Sequence, residues 1–251
     1  MKILRYFDKN GNSQYGWLHK NFVGQIDGDI FGEFRRQEAD TPLEKLQLLP
    51  PVKPGKIICM ARNYVNHAKE RGVEIPETPM IFLKPPSSIV ANNADIILPP
   101  QSEQVDHEAE LAVVIGKTGR WMENETIRDH ILGYTIANDV TARDLQKNDG
   151  QWTRAKGFDT FCPLGPWIET DLDPADVLIT CRVNSELRQM ASTKEMIFSI
   201  RQIIAYISSV MTLDPGDVIL TGTPAGIGTL ETGDEVEIEI EGIGILRNKV
   251  R

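Results

Sequence analysis

Glu108, Glu110 and Asp139 are the residues whose types and spacing offer the clearest chemistry in this chain. The first two lie in Asp106-His107-Glu108-Ala109-Glu110-Leu111-Ala112-Val113-Val114-Ile115-Gly116. The third closes Ile131-Leu132-Gly133-Tyr134-Thr135-Ile136-Ala137-Asn138-Asp139. Strand side chains alternate, so Glu108 and Glu110 share a face that Ala112 and Val114 continue. Ala109, Leu111, Val113 and Ile115 line the other face, and a strand apolar on both sides is expected to be buried. A buried pair of carboxylates is costly unless a cation compensates it. An all-oxygen donor set favours a hard divalent ion, Mg²⁺ before Mn²⁺ or Ca²⁺. The bland alternative is an acidic alternation facing water, as in Glu235-Val236-Glu237-Ile238-Glu239-Ile240-Glu241, which predicts an edge or one-sided strand. The Glu108/Glu110 face differs because it turns apolar within two residues.

Other candidates gather around this one. Ala61-Arg62-Asn63-Tyr64-Val65-Asn66-His67-Ala68-Lys69-Glu70-Arg71-Gly72 predicts a short helix, capped by Asn63 and ended by Gly72. His67 and Glu70 then stand at i and i+3, where a carboxylate orients an imidazole and raises its basicity for acid–base work. The plain alternative is a solvated helix face. Lys156, in Arg154-Ala155-Lys156-Gly157-Phe158-Asp159-Thr160, is set to hold an anionic substrate or a developing enolate, unless it is a snorkelling surface lysine. Arg143, Asp144 and Gln146 follow Asp139 closely and are placed to orient metal ligands or substrate. Leu220-Thr221-Gly222-Thr223-Pro224-Ala225-Gly226-Ile227-Gly228 lacks the spacing of a nucleotide-binding loop, but its amides and Thr223 could grip a small carboxylate. Cys59, Cys162 and Cys181 are too few and too scattered for a disulfide framework or a zinc cluster, and packing is their expected role.

The elements that must position these residues are mostly strands. Strands are expected over 56–60, 110–115, 131–137, 167–169, 178–183, 217–221 and 235–240, with helices at 63–71, 126–130 and about 199–210. The last carries Ile200, Ile203, Ile204, Ile207 and Val210 as a core stripe. Turns are read at Asp8-Lys9-Asn10-Gly11-Asn12 and Ile26-Asp27-Gly28-Asp29-Ile30. Leu49-Pro50-Pro51-Val52-Lys53-Pro54-Gly55 marks a boundary between a small N-terminal β appendage, residues 1–54, and a main domain, 55–251. No regular strand–helix rhythm appears, so a mixed, β-rich α+β fold is expected. The 251 residues are 41% hydrophobic and 25% charged, ordinary for a globular protein. A net charge of −9 without a basic stripe argues against a nucleic-acid partner. No apolar run approaches a membrane helix, and the N-terminus lacks a signal peptide's apolar core, so a cytoplasmic protein is expected.

Taken in order, these segments resemble the fumarylacetoacetate hydrolase superfamily. The matching pieces are Arg62-Asn63-Tyr64 through His67 and Glu70, Phe82-Leu83-Lys84-Pro85, and Asp106-His107-Glu108-Ala109-Glu110-Leu111. They continue with Gly133 through Asp144, Ala155-Lys156-Gly157-Phe158-Asp159 and Gly222-Thr223-Pro224, spanning about residues 55 to 251. Ala61 departs from the pattern, where relatives often carry Gly. The resemblance implies a β-roll fold, usually as a homodimer, with Mg²⁺ or Mn²⁺ held by Glu108, Glu110 and Asp139. It implies a His67/Glu70 pair on a segment that orders over substrate, with Lys156 and Thr223 contacting a 2-oxo acid. The chain length points to the single-copy group of acylpyruvate and fumarylpyruvate hydrolases, 2-hydroxyhepta-2,4-diene-1,7-dioate isomerases and oxaloacetate decarboxylases or tautomerases. Metal-dependent C–C hydrolysis of an acylpyruvate or fumarylpyruvate is the leading expectation. Isomerisation, tautomerisation or decarboxylation is the alternative, and a silent 2-oxo acid binding protein a more remote one.

Overall fold

A computed structural model describes residues 1–70, 72 and 74–251. In chain order the strands are β1 (Lys2–Phe7), β2 (Ser13–His19), β3 (Phe22–Gly28), β4 (Phe34–Pro42), β5 (Gln47–Leu49), β6 (Ile57–Ala61) and β7 (Met80–Lys84). Next come β8 (Ile89–Val90), β9 (Asp95–Ile96), β10 (Val105–His107), β11 (Ala109–Ile115), β12 (Ile131–Asn138), β13 (Thr141–Ala142) and β14 (Cys162–Glu169). The last are β15 (Leu178–Val183), β16 (Glu186–Ser192), β17 (Val218–Leu220), β18 (Gly228–Thr229), β19 (Glu235–Ile240) and β20 (Gly244–Val250). The α-helices are α1 (Val65–Glu70), α2 (Arg143–Asn148), α3 (Thr153–Lys156) and α4 (Ile200–Val210).

Twelve strands form one sheet on the path β4-β3-β2-β1-β14-β12-β11-β17-β6-β7, with β5 beside β1 and β8 beside β14. A five-stranded sheet runs β16-β15-β19-β20-β9, and a three-stranded one runs β13-β10-β18. The strand-rich α+β class therefore holds. The N-terminal strands extend the main sheet, because β1 pairs antiparallel with β14 (Lys2↔Glu169, Ile3↔Ile168). The expected appendage is thus joined to the rest by a hydrogen-bonded ladder as well as by a linker.

The central strand β11 is buried along its whole length, and its two faces serve two cores. Ala109, Leu111, Val113 and Ile115 pack into the cluster shared with Ile179 and Cys181 of β15, Val236 and Ile238 of β19, and Ile203, Ile204 and Ile207 of α4. Ala112 and Val114 face the cluster that holds Ile3, Ile26, Val52, Ile57 and Leu164. Strand alternation divided these residues in the way the sequence predicts.

Several boundaries differ from expectation. β19 lies between β15 and β20, so the Glu235–Glu241 strand is internal and not an edge. Its one-sided character holds, with Val236, Ile238 and Ile240 buried and Glu239 exposed. In α4, Ser199 accepts from Gln202 N in a capping box, and Ile200, Ile203, Ile204 and Ile207 are buried. Val210, however, is 53% exposed, at the last residue of the helix, where the apolar stripe runs out of the core. The segment near residue 126 is a 3-10 turn over Ile127–His130, too short to close α-helical hydrogen bonds along its length. The second hairpin turns after Gly28, between β3 and β4, rather than centring on it. α1 begins at Val65, two residues after Asn63, and the helix end expected at Arg71 lies outside the described residues. β14 reaches back to Cys162 through Pro163 and Pro166, whose missing N–H groups hid it from sequence reading.

Candidate metal centre and active site

The three carboxylates meet because of the β11–β12 register. Ala109 pairs with Asn138 and Glu110 with Ala137. One step further on, the Asp139 amide donates to the Glu108 carbonyl at 2.9 Å, placing Asp139 opposite Glu108. Glu108 itself lies between β10 and β11, where its amide donates to Asn138 Oδ1 at 2.9 Å. One ligand atom from each of Glu108, Glu110 and Asp139 lies within 4.8 Å of the others, and all three residues are buried.

Buried cations hold two of these acids. Lys156 Nζ reaches Glu108 Oε2 at 2.9 Å and Asp139 Oδ2 at 2.5 Å, and Lys84 Nζ reaches Asp139 Oδ1 at 2.6 Å. Arg143 spends Nε on Asp106 (2.9 Å), Nη2 on Glu108 (2.5 Å) and Nη1 on Gln146 Oε1 (2.6 Å). Burial pushes the Glu108 carboxyl up, but Lys156 and Arg143 outweigh it and hold the group well below the usual range. Burial lowers Lys156, and Asp139 with Glu108 more than restores it, so the ammonium stays charged.

Glu110 differs from the other two. It accepts from the Gly222 amide at 2.6 Å and, among the described residues, has no ion pair of its own. Burial and then the nearby Asp139 and Glu108 charges push its carboxyl well above the ordinary value. A buried carboxylate cluster whose third member lacks a counter-charge fits a hard divalent cation, both in donor chemistry and in charge. Gly222 makes that contact with φ +96, and a Cβ there would fall 2.7 Å from Asn63 Cβ. Only glycine brings this amide so close without strain.

α1 presents His67, whose Nδ1 lies 3.2 Å from Glu70 Oε2. A carboxylate only accepts, so this contact puts the proton on Nδ1 and leaves Nε2 as the free acceptor. Burial lowers the His67 pKa, with Glu108 and Glu70 offsetting part of the effect, so the ring is neutral at pH 7. Glu70 Oε1 also accepts from the Gly226 amide at 3.0 Å, tying α1 to the glycine-rich loop. Behind the helix, Asn63 is fully buried. Its Oδ1 accepts from Phe198 N (2.8 Å), and its Nδ2 donates to Thr221 O (2.8 Å).

His67, Glu108, Glu110, Arg143, Gln146, Lys156 and Thr223 all line one cleft of about 100 Å³, together with Arg62, Phe82 and Trp152. Asp139 stands behind it, and Glu70 backs His67. Gln146 must turn its carbonyl to Arg143, which leaves its amide N–H groups for the cleft. The Thr223 hydroxyl donates to Ala109 O (2.9 Å) and accepts from Gln189 Nε2 (2.8 Å). Its proton is therefore already committed, and in this arrangement Thr223 braces the loop instead of gripping a carboxylate. Cys162 is buried, and burial pushes its thiol up to about 12, so it offers no nucleophile at neutral pH.

Residues 56–251 match the family model described as fumarylacetoacetate (FAA) hydrolase C-terminal, and residues 1–51 match the one described as Rv2993c-like, N-terminal. The chain belongs to the fumarylacetoacetate hydrolase family. The Methanocaldococcus jannaschii protein MJ1656 is 58% identical over 200 residues, covering 80% of this chain and 84% of that protein. The human mitochondrial oxaloacetate tautomerase FAHD2A is 47% identical over 222 residues, 83% of this chain and 71% of that one. A solved structure named 2-hydroxyhepta-2,4-diene-1,7-dioate isomerase, from Mycobacterium marinum, has a TM-score of 0.92 at 44% identity, covering 100% of this chain and 98% of that one. This fumarylacetoacetate hydrolase family chain is therefore similar to proteins named for tautomerisation and isomerisation, and also to a solved structure named fumarylacetoacetate hydrolase, from Exiguobacterium antarcticum, with a TM-score of 0.88 at 39% identity, covering 100% of this chain and 99% of that one.

Sequence reasoning assigned no role to several residues of this cluster. Lys84 ends β7 just as Asp139 follows β12, and a lone lysine closing an apolar strand was the available signal. Gln189, on β16, accepts from Ala109 N and contacts His107 Nδ1, both at 3.0 Å. Its charged neighbours Glu186 and Arg188 gave no hint of burial. Phe82 and Trp152 form an edge-on pair at 5.3 Å, and Lys156 Nζ lies 5.0 Å from the Phe82 ring centre.

Proposed function

We propose that this chain moves a proton between carbon and oxygen in 2-oxo acids and their enols, as a divalent-metal-dependent tautomerase or isomerase. The observation that carries the reading is a neutral, Glu70-oriented His67 lining the same cleft as the carboxylate cluster. The relatives named for tautomerase and isomerase activity turn on related proton moves: enol–keto exchange places one proton at C3, and a 2,4-dienol whose double bond migrates takes it at C5, two carbons further along the conjugated chain. Glu108, Glu110 and Asp139 would hold the ion, Mg²⁺ before Mn²⁺, which supplies Lewis acidity toward the oxygens of a 2-oxo carboxylate.

The other residues act around that ion. His67 Nε2 takes the proton from C3 of the keto form or returns it to the enol, and Glu70 keeps the ring turned and its Nδ1 protonated. Lys156 has one N–H beyond its two carboxylate contacts, which places positive charge beside a developing enolate oxygen. Gln146 donates from its free amide, and Arg143 holds Glu108 and Gln146 in place. Phe82 and Trp152 keep water from the carbon chain.

Solvent-deuterium exchange at C3 of a 2-oxo acid, followed by NMR with Mg²⁺, tests this directly. His67→Ala is expected to slow exchange by about 10²-fold or more while oxalate binding stays within a few-fold of wild type. Wild-type exchange in that variant would remove His67 from the reaction.

A further inference from the structure

We propose that Arg62 is the specificity residue of this cleft, receiving the second carboxylate of a 2-oxo dicarboxylic acid whose 2-oxo end faces Glu108, Glu110 and Asp139. This rests on the proposed function and narrows its substrate class. Three cationic side chains line the cleft: Arg62, Arg143 and Lys156. Arg143 and Lys156 are both committed to buried acids. Arg62 is half-buried and, among the described residues, has neither an ion pair nor a hydrogen bond to its side chain. An anion with charge to spare beyond its 2-oxo end meets this guanidinium as the one uncommitted cation among the described lining residues, and a guanidinium binds a carboxylate through paired N–H donors.

The backbone holds Arg62 in an unusual conformation. Its φ is +57, a left-handed value that non-glycine residues rarely adopt. The following residue fixes it there: Asn63 is fully buried and bonds through its side chain to Phe198 and Thr221. Asn63 O also accepts from Ile197 N at 2.8 Å. Strain of this kind persists where the surroundings over-determine it, and here it sits at a cleft-lining residue. Phe82 and Trp152 line the same cleft, offering apolar contact to a short carbon chain between two charged ends.

The test compares two acids of equal length that stay in the keto form at equilibrium and so give no net turnover, 2-oxoglutarate and 2-oxopentanoate, by calorimetric titration into Mg²⁺-loaded protein. Wild type is expected to bind the dicarboxylate about 10-fold or more tightly than the monocarboxylate, the scale of one charge-assisted hydrogen-bonded contact. Arg62→Gln is expected to bring that ratio close to one while its affinity for 2-oxopentanoate stays within about 2-fold. Arg62→Lys, which keeps the charge but not the paired donors, is expected to retain part of the preference and serves as a check that the position tolerates exchange. Equal affinities in wild type, or an unchanged preference in Arg62→Gln, would overturn the role of Arg62 while leaving the 2-oxo acid site standing. Failure of both acids to bind wild type would overturn that site and the proposal together.

Discussion

Glu110 is the residue on which the site's charge balance turns. Glu108 and Asp139 have lysine partners and Glu110 has a backbone amide. With its folded pKa raised, Glu110 contributes stability below the ordinary carboxylate range and loses it as pH rises, until a cation arrives. Glu108 has the opposite sign, its contribution being present above that range and lost in acid. Glu110→Gln is therefore expected to raise the Tm of chelator-treated protein at pH 7 by about 2–4 °C, and to abolish the further rise on adding Mg²⁺. A lower Tm without metal would contradict this balance. At His67, the lowered pKa places the acid limb of the rate profile below the free imidazole value of about 6.5. Glu70→Gln removes a group that raises that pKa, so the limb is expected to move to lower pH while the maximal rate falls. Glu108, Glu110 and the His67/Glu70 pair were legible in the sequence because their spacing is local, at i+2 and i+3. Lys84 and Gln189 were not, since Lys84 meets Asp139 across 55 positions and Gln189 meets Thr223 across 34, and nothing local records such contacts.

At the scale of elements, the site depends on how α1 is fastened. Asn63 fixes the entrance to the helix against the segment before α4 and the end of β17, and Glu70 fixes its far end to the Gly226 loop. The sequence presented Asn63 as a helix cap. The structure uses the same donor and acceptor groups for long-range backbone contacts, since the amide satisfies buried groups that water cannot reach. Asn63→Ala is expected to cost about 1–3 kcal/mol in denaturant unfolding and to reduce turnover as well. Ser199→Ala, which removes only the cap of α4, is expected to cost about 1 kcal/mol and leave turnover unchanged. Gly226 allows no side chain: its φ is +96 and a Cβ would fall 2.0 Å from Arg188 O. The strands that carry the acids were read nearly to the residue because their apolar runs are long. β7, β16 and β20 were missed: the apolar run of β7 is short, Met80 to Leu83, and charged residues such as Arg188 and Lys249 interrupt the other two.

Across the whole molecule, the proline-rich stretch at 50–54 reads as a boundary, yet β1 pairs with β14 and Ile3 shares a core with Ile57 and Val114. A break in composition marks a linker but says nothing of where the preceding strands dock. Calorimetry is expected to show one cooperative transition, with two separated transitions contradicting the shared sheet. The fold class was legible because strand runs outnumber helical ones, whereas the sheet order was not, since pairing such as β17 beside β6 joins distant segments. All of this architecture serves to bring a carboxylate cluster and a neutral imidazole to one cleft. The most direct test of that pairing follows the loss of enol absorbance when enol-oxaloacetate is mixed with the protein, first Mg²⁺-loaded, then chelated, then reloaded, with carbon products identified by mass spectrometry. The expected result is fast ketonisation without carbon loss, abolished by chelation and restored by Mg²⁺. Full rate in the chelated protein, or C–C cleavage as the main outcome, would contradict it.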